Sequence, residues 1–183
     1  VKQGCVLANK AFFAAVHIDC CTLRSTRARG ALIQTQNVLI ENSYIYGISY
    51  AGLLFSPDIK RWWEVAPAEN VEIRNNIFEH CSHASDTMPD GAVSFKASHD
   101  GESGEYPAGV HKNILIHNNR FKDFCGCGIF VSAADSVRIE DNVFERDKTA
   151  QRQGFDLRLV NCRNTKIHNN RDDDFPERLL SIE

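Results

Sequence analysis

No run of apolar residues in this chain approaches the roughly 18 that a membrane-spanning helix needs. No charged-then-apolar leader opens it, and its first residue is Val1 rather than a methionine. Charge of one sign is equally scarce: 21 basic side chains against 24 acidic ones leave a net charge of −3. The interleaving of basic and aromatic residues that nucleic acid calls for is missing too, so neither nucleic acid nor a membrane is expected as a partner. Metal-ligand spacing is also wanting, because Cys125-Gly126-Cys127 lacks the gap and the second pair of a zinc site. No metal or cofactor is expected.

The seven cysteines are an odd number for a disulfide framework. Cys20, Cys21, Cys81, Cys125, Cys127 and Cys162 fall at or beside strands and corners, where a reduced thiol packs as a small apolar group. This usage points towards a reducing, cytoplasmic compartment; an anaerobe's exported protein would look the same, so secreted and periplasmic destinations stay open.

What the chain does have is a block that recurs five times, apolar-polar-apolar-polar closing on Asn or Asp. The copies are Val38–Asn42, Val71–Asn75, Ile114–Asn118, Val137–Asp141 and Thr165–Asn169, with a degenerate one at Val16–Cys20. Their first residues are separated by 22, 33, 43, 23 and 28 positions. Period-2 alternation is a half-buried strand, and a strand returning every 22 or so residues is one coil of a solenoid. The sequence therefore predicts an all-β fold, a right-handed parallel β-helix of about six coils forming one domain over 1–183. Ile18, Ile40, Ile73, Ile116, Ile139 and Ile167 should stack as one interior column.

Three positions after the Asn stands Ile45, Phe78, Phe121 or Phe144, which would enter the core after a tight corner. A second strand follows in most coils, as in Gly30–Ile33, Gly52–Phe55, Ala92–Phe95, Gly128–Val131 and Phe155–Leu159. Asn42, Asn75, Asn118, Asp141 and Asn169 then form a column, read here as the internal amide ladder of the solenoid, since Asn tolerates a left-handed corner and its amide can bond the next coil. The segment from Val1 to Ala15 shows no polar cap, which predicts either the C-terminal part of a longer solenoid or a homodimer formed end to end.

Function is expected where the coil is interrupted. The 33-residue step inserts Ser56–Glu64 with Asp58, Trp62, Trp63 and Glu64; the 43-residue step inserts His80–Gly91, with Asp86 and Asp90, and then Lys96–His111. Aromatic faces beside carboxylates suit carbohydrate: a platform for the sugar's C–H face, and an acid and a base flanking a glycosidic bond. Arg24, Arg27 and Arg29 precede a strand, and their guanidinium forks could bind hydroxyls or carboxylates, or pair with Asp58 and Glu64.

Arg27-Ala28-Arg29-Gly30-Ala31-Leu32, Val38-x-Ile40-Glu41-Asn42, Gly52-x-x-Phe55 with Asp58, Trp62-Trp63-Glu64, Val71-x-Ile73-Arg74-Asn75-Asn76-x-Phe78 and Val110-His111-Lys112-Asn113-Ile114 together resemble glycoside hydrolase family 110. That resemblance implies an inverting exo-α-1,3-galactosidase on a right-handed parallel β-helix, acting on terminal sugars of an oligosaccharide or polysaccharide. On an enzyme reading, Asp58 and Glu64 are the catalytic carboxylates expected from this segment, with Arg27, Arg29, Trp62, Trp63, Asp86, Asp90 and His111 binding substrate. The family's adjacent aspartates upstream of the arginine coil have no counterpart here, where Asp19 is a lone acid, and its Gly-Asp loop reads Pro57-Asp58. Two other classes stay open: a polysaccharide lyase using Lys96 with Arg27 or Arg29, and a non-catalytic carbohydrate-binding or structural β-helix.

Overall fold

The computed structural model describes residues 9–57, 66–84, 91–97, 106–145, 154–173, 175–176 and 179–183. These form three six-stranded sheets, each winding once per coil. Sheet A contains β1 (Val16–Asp19), β4 (Val38–Glu41), β7 (Glu69–Arg74), β10 (His111–His117), β13 (Ala134–Glu140) and β16 (Arg163–His168). Sheet B contains β2 (Thr22–Thr26), β5 (Tyr44–Ile48), β8 (Ile77–Cys81), β11 (Arg120–Lys122), β14 (Val143–Glu145) and β17 (Arg171–Asp172). Sheet C contains β3 (Ala31–Ile33), β6 (Leu53–Phe55), β9 (Gly91–Phe95), β12 (Cys127–Ser132), β15 (Leu157–Val160) and β18 (Leu180–Ile182). Within each sheet the neighbouring strands run parallel, as the stacking of coils requires.

The isoleucine column is present as the alternation demands: Ile18, Ile40, Ile73, Ile116, Ile139 and Ile167 are register partners along sheet A. Ile40, Ile73, Ile116 and Ile139 are wholly buried. β-Branched side chains suit this surface because their stiff χ1 packs well on a pleat. Each coil has three strands where the sequence showed two. The missing one belongs to sheet B, whose β8, β11 and β14 each carry one fully inward Phe between polar or partly exposed neighbours, too short a run to read as alternation. Those rings, Phe78, Phe121 and Phe144, stack 4.9 and 5.0 Å apart and nearly coplanar inside the core.

The ladder lies one residue beyond its expected position. Asn42, Asn75, Asn118, Asp141 and Asn169 do occupy the left-handed region, with φ of 51–57°, but Asn42 and Asn118 are exposed. The next residue of each corner is the one that turns inward. Asn76, Asn119 and Asn142 are buried, and each Oδ1 accepts from the backbone N–H of the preceding coil, at Ser43, Asn76 and Asn119. Each Nδ2 donates back to a strand carbonyl of that coil, at Ile40, Ile73 and Ile116. Asn170 continues the column by accepting from Asn142 N–H. Two demands thus fall on successive residues: a positive φ at the first and a satisfied buried amide at the second.

A second, exposed amide column runs along the starts of the sheet A strands. Asn113 Nδ2 donates to Asn70 Oδ1, and Asn70 Nδ2 to Asn37 Oδ1, each at 3.0 Å. These asparagines also have positive φ.

Ranking follows from burial. Asn119→Ala should cost about 1–3 kcal/mol through its orphaned backbone partners, whereas Asn118→Ala, losing a corner preference and one exposed bond to His117, should cost less. Ile116→Ala should cost about 2–5 kcal/mol as a core cavity. Urea unfolding of the three variants checks this order, and equal losses for Asn118→Ala and Asn119→Ala would contradict it.

Candidate functional site

The corners between sheets A and B are always two residues long, as in 42–43, 75–76, 118–119 and 141–142. The connections on either side of sheet C vary. From sheet C to sheet A they run from the single residue 133 to the stretches 56–68 and 96–110; from sheet B to sheet C they run from 27–30 to 82–90 and 146–156. Every long insertion therefore begins or ends at a strand of sheet C, as does the arginine segment.

Sheet C also differs from sheet A in its outer face. Leu54, Ser94 and Phe130 are register partners that alternate with inward residues, yet they are 5%, 0% and 1% exposed. At the edges of the same row, Leu32 is 48% exposed and Arg158 forks onto Glu183 with two 3.0 Å bonds. The Arg158 guanidinium also lies 5.7 Å from the centroid of the Phe130 ring, within cation–π range. A shallow groove on sheet A, bordered by Asn37, Leu39, Asn70, Glu72, Asn113 and Leu115, is turned away from this side.

Of the residues expected to make the site, Arg27, Arg29 and His111 are described. Arg27 and Arg29 are exposed on the connection from β2 to β3. Their loop is closed by the Thr26 hydroxyl, which donates to the Arg29 carbonyl at 3.1 Å. Gly30 follows because the chain approaches the neighbouring coil too closely for a side chain: a Cβ there would collide with the carbonyl oxygen of Gly52. Arg29 is near enough to Lys96, the first residue after β9, for its charge to act on the amine. Burial, with that guanidinium contributing, pulls the Lys96 pKa down to about 8. Asp58, Trp62, Trp63, Glu64, Asp86 and Asp90 lie outside the described residues.

His111 is fully buried rather than turned to a ligand. Its Nδ1 accepts from Ala68 N–H and its Nε2 donates to the Lys96 carbonyl, both at 3.1 Å. Its ring also meets Phe95 edge-on at 5.8 Å between centroids. One imidazole thus ties the last residue of the 56–68 connection to the first of 96–110. Its sequence neighbours gave no sign of this, since the partners are 43 and 15 positions away. Phe130 and Arg158 went unnoticed for a similar reason, each being one member of an alternating strand.

A family described as "right handed beta helix region" matches residues 5–174. The chain belongs to that family. Among curated proteins, the β-helix is 29% identical over 174 residues to alpha-1,3-galactosidase A of Bacteroides thetaiotaomicron, covering 93% of this chain and 29% of that protein. It is 27% identical over 188 residues to alpha-1,3-galactosidase B of the same organism, covering 100% of the chain and 30% of the relative. It is 34% identical over 108 residues to alpha-1,3-galactosidase A of Shewanella woodyi, covering 58% of the chain and 17% of the relative. The chain spans less than a third of the length of these relatives.

The His111 clamp makes stability depend on pH. Burial lowers its pKa from 6.5 to about 4, because a proton on Nδ1 would face the Ala68 N–H in a dry environment. The unfolded chain therefore binds this proton first. The stabilisation is complete above about pH 6.5 and drains away as pH falls towards 4, a loss of about 3 kcal/mol at roughly 1.4 kcal/mol per pH unit. His111→Gln should be less stable at pH 7.5 and should lack that component of the decline between pH 6.5 and 4. Denaturant titrations of both proteins across this range test it, and parallel curves would remove the clamp from the account.

Proposed function

We propose that this β-helix is the sugar-recognising portion of a glycoside hydrolase that removes terminal α-linked galactose with inversion. The observation that carries the reading is the gathering of all the long insertions, and of the arginine segment, at the ends of sheet C. Similarity to proteins named alpha-1,3-galactosidase supports the choice of sugar and linkage.

In this reading Asp58 and Glu64 are the working carboxylates. One protonates the leaving oxygen; the other deprotonates a water on the opposite face of the ring, which calls for a separation of about 6.5–9.5 Å. Trp63, with Trp62 beside it, offers a platform to the C–H face, while Arg27, Arg29, Asp86 and Asp90 bind hydroxyls. His111 contributes from beneath by fixing the ends of two of the insertions. The hydrolysis needs no metal, since both proton transfers are made by carboxyl groups.

A lyase reading draws on one specific observation. Lys96, with a pKa of about 8 and Arg29 nearby, has the character of an amine that could take the proton α to a uronate carboxylate.

Assay of the chain on aryl α- and β-glycosides separates the two. The hydrolase reading expects release from α-galactosides, at least 100-fold slower in Asp58→Asn and Glu64→Gln, with little change in melting temperature. Release that both variants retain would sink the carboxylate assignment. An ultraviolet-absorbing unsaturated product from a uronan, lost in Lys96→Ala, would instead establish the lyase.

A further inference from the structure

The face of the solenoid opposite to this chemistry carries a second group of chemically active side chains. His17 and Asp19 sit two apart on β1 and so point to the same side, outward, while Ile18 between them enters the core. Asp19 is the register partner of Glu41 on β4. His17 Nε2 lies 2.9 Å from Glu41 Oε1, and one donor atom from each of His17, Asp19 and Glu41 falls within 4.8 Å of the others.

Two carboxylates and an imidazole converge here, and a cation could lie between them. Asp19 and Glu41 are like charges on adjacent strands, about one strand spacing apart, a pairing that weakens a sheet. Arg74 offsets only one side of it: its Nε and Nη2 both reach Glu41 Oε2 at 2.8 Å, and its Nη1 is shared with Glu72 at 2.9 Å. The rest of the shell sets the remaining carboxylate in place. Asn42 Nδ2 donates to Asp19 Oδ1 at 2.9 Å, and the Cys20 thiol donates to the same oxygen at 3.2 Å.

We propose that His17, Asp19 and Glu41 bind a single divalent transition-metal ion of the zinc class on the outer face of sheet A. The donor set is one imidazole nitrogen and two carboxylate oxygens, which matches zinc's preference for nitrogen and oxygen with a coordination position left for water. Calcium and magnesium want six or more oxygens, and Arg74 already claims the second oxygen of Glu41. The ligands stand on two hydrogen-bonded strands rather than on loops, so little chain must be ordered when the ion enters. Nothing in this inference depends on the sugar reading, because His17, Asp19 and Glu41 take no part in it.

The test is titration of the metal-free chain with Zn²⁺ by calorimetry, and with Co²⁺ for its visible absorption bands. One ion per chain should bind and raise the melting temperature, since an ion that binds only the folded form stabilises it. His17→Ala and Asp19→Asn should each weaken binding roughly tenfold or more. His80→Ala should not, although His80 also pairs with a carboxylate, Asp123, at 2.7 Å. Absence of saturable binding, binding undiminished in His17→Ala, or an equal loss in His80→Ala would overturn the proposal.

Discussion

Everything else in this molecule depends on the two-residue corner between sheets A and B. At each one the chain turns through a left-handed residue, and in the four middle corners it buries the residue after it, Ser43, Asn76, Asn119 or Asn142. From Asn76 to Asn142 that second residue is an asparagine whose amide accepts from the coil before and donates to that coil's strand. A buried amide leaves costly orphans unless every member finds its partner, so the column fixes coil to coil with no freedom to slip by a residue. The isoleucines of sheet A and the stacked phenylalanines of sheet B are in register because the corner between them is.

A corner that cannot change length forces variation elsewhere. Sheet C is reached and left through connections that carry no buried ladder of this kind, and it is there that lengths range from one residue to many. Loop closure entropy grows only slowly with length, so a coil anchored at its A–B corner tolerates a long excursion on the far side. The same side then needs its own fastening. His111 supplies some of it by bonding backbone at Ala68 and Lys96 and so setting where two excursions start and stop. Placing a neutral imidazole there exploits both ring nitrogens at once, one accepting and one donating, which no aliphatic core residue could do.

The fold was legible in the sequence to the extent that one residue type did one job. Alternating Val and Ile, repeated with a constant offset from an Asn, could only be a stack of strands, and the register of Ile18 through Ile167 follows from counting. The ladder was misplaced by one because corner and ladder fall on neighbouring residues of similar chemistry; the doublets Asn75-Asn76, Asn118-Asn119 and Asn169-Asn170 carry both signals, and only burial tells them apart. Sheet B stayed hidden because its strands are two to five residues long, and β11 and β14, with three residues and one inward Phe, have no period to display. Where the regular coil is interrupted was legible from the unequal steps, which mark the coils that carry the insertions. The role of His111 was not, because it is set by contacts across the stack rather than by anything near it in the chain.

The two faces also show how a solenoid separates recognition from cohesion. On sheet A the outward side chains of successive coils pair with one another: His17 with Glu41, Glu41 with Arg74, Arg74 with Glu72, and Glu72 with His117 at 3.0 Å. Exposed pairs of this kind are each worth little, but a chain of them makes the outer surface of neighbouring coils complementary in charge without using the core. On sheet C the outward residues Leu54, Ser94 and Phe130 are buried instead, and among the described residues charge pairing on this row comes at Arg158, which meets Glu183. Arg158 also lies against the Phe130 ring of that row, and the charge of Arg29 acts on Lys96 just after β9.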